Sequence, residues 1–483
     1  MLHQYEASLD AWVENEKKAL ELIGIIGTLW YENEVELNIF HRHLFDCRVT
    51  EVLQFLKESE NYTQADIDIE MLLIMAKIIR EMNIWATKID LGRIADEAHL
   101  RNITKNELSE FIKEQLYSIS GDQKERYKPK DVVLFGFGRI GRIMCRLLVG
   151  NAGTGTQLRL RAIACRNNSS ATDLEKRASL LRKDSVHGRF RGSIEVDATA
   201  QCLIVNGNRI HMIEGDNPES IDYAKYGISN AILIDNTGVW RDRPNLTRHT
   251  QAEGIEKVIL TAPGKGDVPN IVYGINHQVF DSAAEKVFSA ASCTTNAVVP
   301  TLKIIEEFYG IEKGHLETVH AYTNDQNLLD NYHKKERRGR AAPLNLVITE
   351  TGAGKAASKA IPSLEGKLTS NAVRVPTPNV SMAIMNLNLQ RETSLTDLAQ
   401  IFQETTSTGA YYDLVEYASS PELVSSDLVG NPHPGIIDGK ATLVSADNKS
   451  IVLYVWYDNE FGYSMQVLRL AKYLAGVEKP SYH

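Results

Sequence analysis

Residues 131–149 read DVVLFGFGRIGRIMCRLLV, and this run decides the fold. An apolar stretch of strand type (131–135) runs into Gly136-Phe137-Gly138-Arg139-Ile140-Gly141, and a helical pattern follows over 139–149. Glycine triplets are common, so the strand before and the helix after are what make this one informative. Gly136 permits a tight turn, and Gly138 lets the backbone approach a pyrophosphate. Gly141 lets the helix pack close to the strand, so the helix N-terminus faces the phosphates. Further strand-like runs follow at 158–164, 231–234 and 257–260, with helical or loop material between them. That alternation predicts a doubly wound parallel sheet with helices on both faces. From about residue 314 the strands lengthen, at 316–321, 372–375, 382–389 and 450–457, which predicts an α+β second domain. The stretch 464–474 reads as a closing helix.

Upstream the texture differs. Residues 1–120 carry apolar residues at helical spacing, among them Leu9, Trp12, Val13, Leu20 and Ile23, then Leu72, Ile74, Met75 and Ile78. No proline occurs before Pro129. Thr104 and Glu107 have the spacing of a capping box, predicting a last helix to about Ile119. A polar linker is expected over 121–130. The division expected is therefore an all-α extension (1–127), a dinucleotide-binding domain (128–292, with a closing helix 460–483) and a catalytic domain (293–459).

The chain has 483 residues, 53 basic and 62 acidic, for a formal charge of −9. Residues 1–127 hold 24 acidic and 14 basic side chains, so all the net acidity lies in the extension. With 43% hydrophobic and 24% charged residues, wholesale disorder and fibrous classes are excluded. No dense basic stripe is present, which argues against a nucleic-acid binder. Five scattered cysteines without a CxxC pair read as reduced thiols. No signal-type N-terminus or spanning run is visible, so a cytoplasmic protein with no bound metal and no membrane partner is expected.

Three further features carry chemistry. At the end of the second strand, where a carboxylate would bond the ribose of NAD, the chain reads Cys165-Arg166-Asn167-Asn168. The missing charge and the nearby guanidinium favour NADP over NAD. Ser292-Cys293-Thr294-Thr295-Asn296 places a thiol among hydroxyls just before a helical pattern over 297–308, a setting that lowers a thiol pKa. His320 ends a strand, and a Cys–His pair supplies a thiolate at neutral pH and a general base. Arg337, Arg338, Arg340 and Arg374 are suited to holding phosphates.

The motifs FGFGRIGR, KDSVHGRF, TAPGKGD, SCTTN, VHAYTNDQ, RRGRAA, TGAGKA, RVPTPNVS and WYDNEFGYS stand in the order found in phosphorylating glyceraldehyde-3-phosphate dehydrogenases. From about residue 131 to the C-terminus the chain resembles that family. The resemblance implies a Rossmann-type domain plus an α+β catalytic domain. It implies Cys293 as the nucleophile that forms a thiohemiacetal and then a thioester, and His320 as its base. It implies Thr323, Asp325 and Arg374 around the substrate phosphate. Ser292, Thr294, Thr351, Gly352 and Arg338 fall on the inorganic-phosphate side. It implies Asn459 orienting the nicotinamide amide, with Phe137, Gly138, Arg139, Ile140, Thr237 and Gly238 as other cofactor contacts. It also implies a homotetramer in which the loop 322–346 reaches a neighbour's cofactor.

The chain departs from the family's usual pattern in five ways. Cys165 stands where NAD-specific members carry Asp, and Asn331-Tyr332 stands where they read Leu-Pro; both changes favour NADP. Ala297 replaces a second cysteine, and Phe461 a tryptophan. The extension is absent from ordinary members. Its expected role is packing or assembly, with competition for the cationic phosphate sites as the sharper alternative. A dehydrogenase acting on erythrose 4-phosphate, and a weakly active regulatory protein working through the extension, are the alternative functions.

Overall fold

A computed structural model of the chain describes residues 2–60, 62–119, 127–166 and 172–482. It divides into two compact units. One comprises residues 1–127 with 407–412 and 478–483; the other comprises 128–406 with 413–477.

The larger unit holds two eight-stranded sheets. In the first, the spatial order is Val287–Ser289, Ile255–Leu260, Ala231–Asp235, Lys130–Phe135, Leu158–Cys165, Asn208–Glu214, Cys202–Val205 and Ile194–Asp197. The first six pair in parallel, and the last two are added through antiparallel pairings. The parallel strands are apolar nearly throughout because helices cover both faces. Lys130–Phe135 starts the sheet, and its two neighbours come later in the chain from opposite sides. The carboxyl ends of Lys130–Phe135 and Ala231–Asp235 therefore form the topological switch point where such sheets bind ligands. Helix Arg139–Gly150 follows the glycine turn, as predicted, and the closing helix Phe461–Ala475 packs against it.

The second sheet runs Val347–Thr349, Leu368–Val375, Ile311–Ala321, Ser381–Leu389, Ser450–Tyr457, Gly435–Asp438 and Val415–Ala418, with Leu443–Val444 beside Ser450–Tyr457. It mixes parallel and antiparallel pairs, the α+β texture expected. Helix Cys293–Phe308 lies on this sheet. Ala297 is fully buried there, and a Cβ on Gly435 would come 2.5 Å from its carbonyl oxygen. Nothing larger than alanine is needed at that position.

The smaller unit corrects two expectations. It is not all-α. Helices Leu2–Asn33, Val49–Ser59, Ile69–Glu81, Leu91–Leu100 and Leu108–Gln115 surround a four-stranded sheet in the order Arg42–His43, Glu36–Ile39, Lys88–Asp90, Ser481–Tyr482. Strands of two to four residues are too short to show a period-two pattern, and the fourth comes from the far end of the chain. The closing helix, expected over 460–483, ends at Ala475 with Gly476 left-handed at φ 67°. The tail then enters the smaller unit, where Ser481 and Tyr482 pair in parallel with Lys88 and Ile89. Leu22, Ile26, Leu29, Leu37, Leu72, Met75, Ile89 and Ile94 are core. Leu9, Trp12 and Leu20, on the same first helix, remain 45–61% exposed. Thr104 and Glu107 do make the capping contact, Glu107 Oε2 accepting from the Thr104 backbone at 3.0 Å, but the helix opens at Leu108. Residues 121–126 of the expected linker lie outside the described residues.

Candidate active site

The site is built from the helix N-terminus upward. Ser292 caps helix Cys293–Phe308, its hydroxyl accepting from Thr295 N at 3.0 Å and meeting Thr295 Oγ1 at 2.7 Å. Just before it, Ala291 adopts φ 56°, a left-handed conformation that costs a non-glycine residue about 1–3 kcal/mol. Ala291 N donates to Ser289 Oγ and Tyr463 Oη donates to the Ala291 carbonyl, both at 3.0 Å. Asn296 Nδ2 ties down the carbonyls of Ala290 (2.8 Å) and Ser292 (3.0 Å). These bonds hold a sharp turn that presents Cys293 as the first helical residue, with the Thr294 and Cys293 amides within reach of its sulfur.

His320 arrives from strand Ile311–Ala321, and its Nε2 lies 3.5 Å from Cys293 Sγ. Its Nδ1 is 2.7 Å from the Ala321 carbonyl, a contact that only an Nδ1–H satisfies. That tautomer leaves the Nε2 lone pair facing the thiol. Parallel register places Arg374 directly beside His320. Arg374 Nη1 donates to the Ala321 carbonyl (2.9 Å) and Thr323 Oγ1 (3.2 Å), and lies 3.0 Å from His320 Nδ1. Thr323 Oγ1 donates to Asp325, and Asp325 accepts from Arg338, which also reaches Thr349 Oγ1 at 3.3 Å. One chain of contacts thus links four of the predicted phosphate residues to His320. Arg374 Nε is buried without a partner, a charged donor left for a ligand.

The surroundings of the pair work against the thiolate expected from sequence. Burial pushes the Cys293 thiol up, although the Arg374 charge works against this. Burial, and then the Arg374 charge, hold the His320 imidazole down at about 3. Both directions favour the neutral pair, a thiol facing an imidazole, over a buried pair of charges.

Other predicted residues fall as follows. The Thr294 hydroxyl is buried against Tyr457 Oη (2.9 Å), which also meets Thr318 Oγ1 (2.6 Å). Thr351 and Gly352 form the turn before helix Ala353–Ala360. Ser370 Oγ, on the Arg374 strand, fixes that turn by donating to the Thr351 carbonyl and accepting from Gly354 N, both at 3.2 Å. Asn459 is buried with its Oδ1 accepting from Ser381 Oγ at 2.8 Å. Sequence reasoning missed Tyr457, Tyr463 and Ser381. The first two lie inside the quoted WYDNEFGYS motif, but only burial shows what they hold.

The glycine turn passes a fit test for a dinucleotide. Gly136 has φ 92°, and a Cβ on Gly141 would lie 2.2 Å from the Gly136 carbonyl oxygen. A Cβ on Gly138 would meet nothing within 4 Å, so the space over the helix N-terminus is open. Phe137 is buried and Ile140 half-buried beside it. The Arg139 backbone opens the helix, but its guanidinium is engaged by both Asp184 oxygens (3.1 Å each) and by Glu460, the neighbour of Asn459. Thr237 and Gly238 form the adjacent turn, Thr237 N donating to Asp235 Oδ1 at 2.8 Å. Cys165 ends its strand half-buried, and Arg166 is exposed with its carbonyl accepting from Arg177 Nη2 at 2.7 Å. Asn167 and Asn168 lie outside the described residues. Asn331 is exposed and tied to its own loop, its N donating to the Gly339 carbonyl at 2.8 Å.

Comparison with known proteins agrees with this geometry. Residues 130–243 match the glyceraldehyde 3-phosphate dehydrogenase NAD binding domain, and residues 292–459 its C-terminal domain. A glyceraldehyde-3-phosphate dehydrogenase-like protein of Pseudomonas aeruginosa is 47% identical over 464 residues, covering 95% of this chain and 100% of that protein. Glyceraldehyde-3-phosphate dehydrogenase 2 of Bacillus subtilis is 40% identical over 344 residues, covering 71% of this chain and 96% of the relative. The enzyme of the same name in Nostoc is 39% identical over 344 residues, covering 71% and 98%. The chain belongs to the glyceraldehyde-3-phosphate dehydrogenase family, an oxidoreductase with a nicotinamide-cofactor domain and a long N-terminal extension.

Proposed function

We propose that the protein catalyses the reversible oxidative phosphorylation of glyceraldehyde 3-phosphate to 1,3-bisphosphoglycerate. The observation that carries this reading is the Cys293–His320 pair at 3.5 Å on a helix N-terminus, with the unpartnered Arg374 Nε beside it. Arg374 and Thr323 hold the substrate phosphate and so aim the aldehyde at Cys293. His320 Nε2 takes the thiol proton as sulfur attacks, and the amides of Thr294 and Cys293 receive the developing oxyanion. His320 then holds the proton of the thiohemiacetal hydroxyl as that carbon is oxidised to the thioester. Asn459 and the Gly136–Gly141 turn hold the nicotinamide cofactor, which supplies the two-electron acceptor. Inorganic phosphate, received by Ser292, Thr351, Gly352 and Arg338, with the Thr294 hydroxyl engaged by Tyr457 instead, releases the acyl group as an acyl phosphate. The domain limits 128–292 and 293–459 belong to this reading.

Removing the Arg374 side chain tests the substrate assignment. Arg374→Ala is expected to raise KM for the triose phosphate about 100-fold, the scale of a lost charged hydrogen bond. KM for the cofactor should stay within about threefold. Equal changes in both constants would remove Arg374 from the phosphate site.

The cofactor read here is NADP in preference to NAD. No carboxylate stands at the strand end itself; Cys165 ends it, with Arg166 beyond and Arg177, paired with Asp173 at 2.6 Å, nearby. Steady-state assays with the two cofactors in parallel should give a kcat/KM at least about tenfold higher with NADP, roughly 1.4 kcal/mol. A preference for NAD would refute the roles of Cys165, Arg166 and Asn331. NADP use suits the sugar-forming, gluconeogenic direction; the reverse, glycolytic direction would go with NAD.

The assembly read here is a homotetramer. Leu328, Leu329, Tyr332, Leu344 and Leu346, all in the loop 322–346, are 70–89% exposed in the single chain, an apolar patch suited to a second copy. Light scattering should report four chains, and Leu344→Glu should lower that number; a monomeric wild type would sink the reading. A cytoplasmic location is consistent with the scattered thiols. Among the described residues no helix is long and apolar enough to cross a membrane.

A further inference from the structure

Two fully buried titratable side chains lie under the cofactor turn and outside the chemistry above. Asp235 ends strand Ala231–Asp235 at the switch point, and His249 projects from helix Arg243–Thr250. His249 Nε2 lies 3.3 Å from Asp235 Oδ2. The other carboxylate oxygen, Oδ1, accepts from Thr237 N (2.8 Å) and Thr237 Oγ1 (2.7 Å). Thr237 Oγ1 in turn accepts from Val239 N at 3.2 Å. The carboxylate is thus held on one side by the imidazole and grips the Thr237–Gly238 turn on the other. Nε2 is the ring nitrogen with a partner, so it carries the donated hydrogen. Nδ1 is buried without one, and the imidazole packs against the rings of Phe135 (4.7 Å between centroids) and Trp240 (5.4 Å).

The turn held in this way abuts the phosphate turn. A Cβ on Gly136 would lie 2.9 Å from Thr237 Cγ2. The two turns are neighbours at the carboxyl ends of paired strands, Asp235 facing Phe135 in register. A shift of Thr237 by a few tenths of an ångström changes the width of the slot between them.

We propose that the Asp235–His249 pair is a positioning device for cofactor binding. It fixes the Thr237–Gly238 turn against Gly136 so that the dinucleotide slot is preformed. A buried carboxylate that accepts three hydrogen bonds at set angles does this better than an apolar residue, because it restrains direction as well as distance. Neither side chain touches the reacting atoms, so both are positioning residues rather than catalytic ones. The inference rests on the assignment of this unit as the nicotinamide-cofactor domain; it does not need the triose phosphate to be the substrate.

The test uses the full chain and direct cofactor titration, read by tryptophan fluorescence. His249→Leu removes the donor with little change in volume, and His249→Gln returns an N–H near the Nε2 position. His249→Leu is expected to weaken NAD and NADP binding about tenfold or more, whereas His249→Gln should bind within about threefold of wild type. Alkylation of Cys293 by iodoacetamide without cofactor reports the catalytic half separately and should be unchanged in both. Asp235→Asn should match His249→Leu in cofactor affinity. Unchanged affinity in His249→Leu overturns the proposal. So does equal weakening in His249→Gln, or a parallel loss of alkylation rate, since either points to general damage instead. A wild type that binds cofactor but oxidises no triose phosphate overturns the proposed reaction and leaves this test readable; one that binds neither cofactor overturns both.

Discussion

Replacing Cys293 by serine is expected to lower kcat by at least roughly 10⁴-fold, the scale seen when a covalent nucleophile is removed. Cofactor affinity should survive, because the thiol lies on helix Cys293–Phe308 and the glycine turn on another element. A serine hydroxyl is not activated enough here: the neighbouring imidazole is neutral and weakly basic, held down at about 3 by burial and the Arg374 charge. That base suffices for a thiol, whose proton leaves far more easily than an alcohol's. His320→Asn should cost about 10²–10⁴-fold, the range for a general base. A Cys293→Ser variant keeping more than a tenth of wild-type turnover would refute the covalent route and favour a non-catalytic role for the protein.

The same pair fixes the sign of the pH dependence. With the thiol raised and the imidazole lowered, neither group ionises near 6.5 in the free enzyme. Alkylation of Cys293 by iodoacetamide should therefore rise with pH up to and beyond 9, with no step near 6. A plateau beginning near pH 6 would instead indicate a preformed thiolate–imidazolium pair. The fold feels the imidazole too. Between 6.5 and about 3 the unfolded chain binds a proton at His320 that the folded chain does not, so this group's contribution to stability is lost as pH falls through that window.

The second large effect concerns the smaller unit. Lys479→Met is expected to lower its stability by about 3–5 kcal/mol, the cost of stripping one partner from a buried ion pair. Lys479 Nζ lies 2.7 Å from Glu36 Oε1, and both side chains are only 6% exposed. The ammonium also sits 5.0 Å above the Trp30 ring. Urea unfolding followed by tryptophan fluorescence reads the loss, and Glu36→Gln combined with Lys479→Met should recover part of it. An unchanged midpoint for Lys479→Met would show that the tail is not a structural member of this unit. Deleting residues 478–483 removes more still. Pro480 accepts from Lys88 N (2.9 Å) and Thr87 Oγ1 (2.8 Å), and the strand at Ser481–Tyr482 goes with it. Tyr412, from the other inserted segment, donates to the buried Asp90 carboxylate and accepts from His41 N at 2.8 Å. A fragment cut after Tyr127 lacks all of these groups and is expected to fold poorly.

Much of the catalytic portion was legible in the sequence because its signals are local. A strand, three glycines and a helix within nineteen residues define the phosphate turn, and the steric reasons for Gly136 and Gly141 appear unchanged in the structure. Ser292 caps its helix with the hydroxyl expected of such a residue. Long apolar strands such as Ser450–Tyr457 were readable to the residue. Family motifs placed Cys293, His320 and Arg374 in one site.

What only the tertiary structure decided depends on groups distant in sequence. Burial raises the Cys293 thiol and lowers the His320 imidazole, and burial is a property of everything packed around the pair; the residue types alone carry no such signal. The Thr294 hydroxyl turned to Tyr457, 163 positions away, instead of facing the open site. The Arg139 guanidinium turned to Asp184 and Glu460, which no local reading of the glycine motif includes. The smaller unit's sheet was hidden for the same reason. Its strands are too short for periodicity, and its outer strand lies 393 residues beyond the strand residue it pairs with, Lys88 against Ser481. Sequence determines what each segment favours over a few turns or strands; the choice among distant partners for a buried charge, hydroxyl or strand edge is made only when the chain closes on itself.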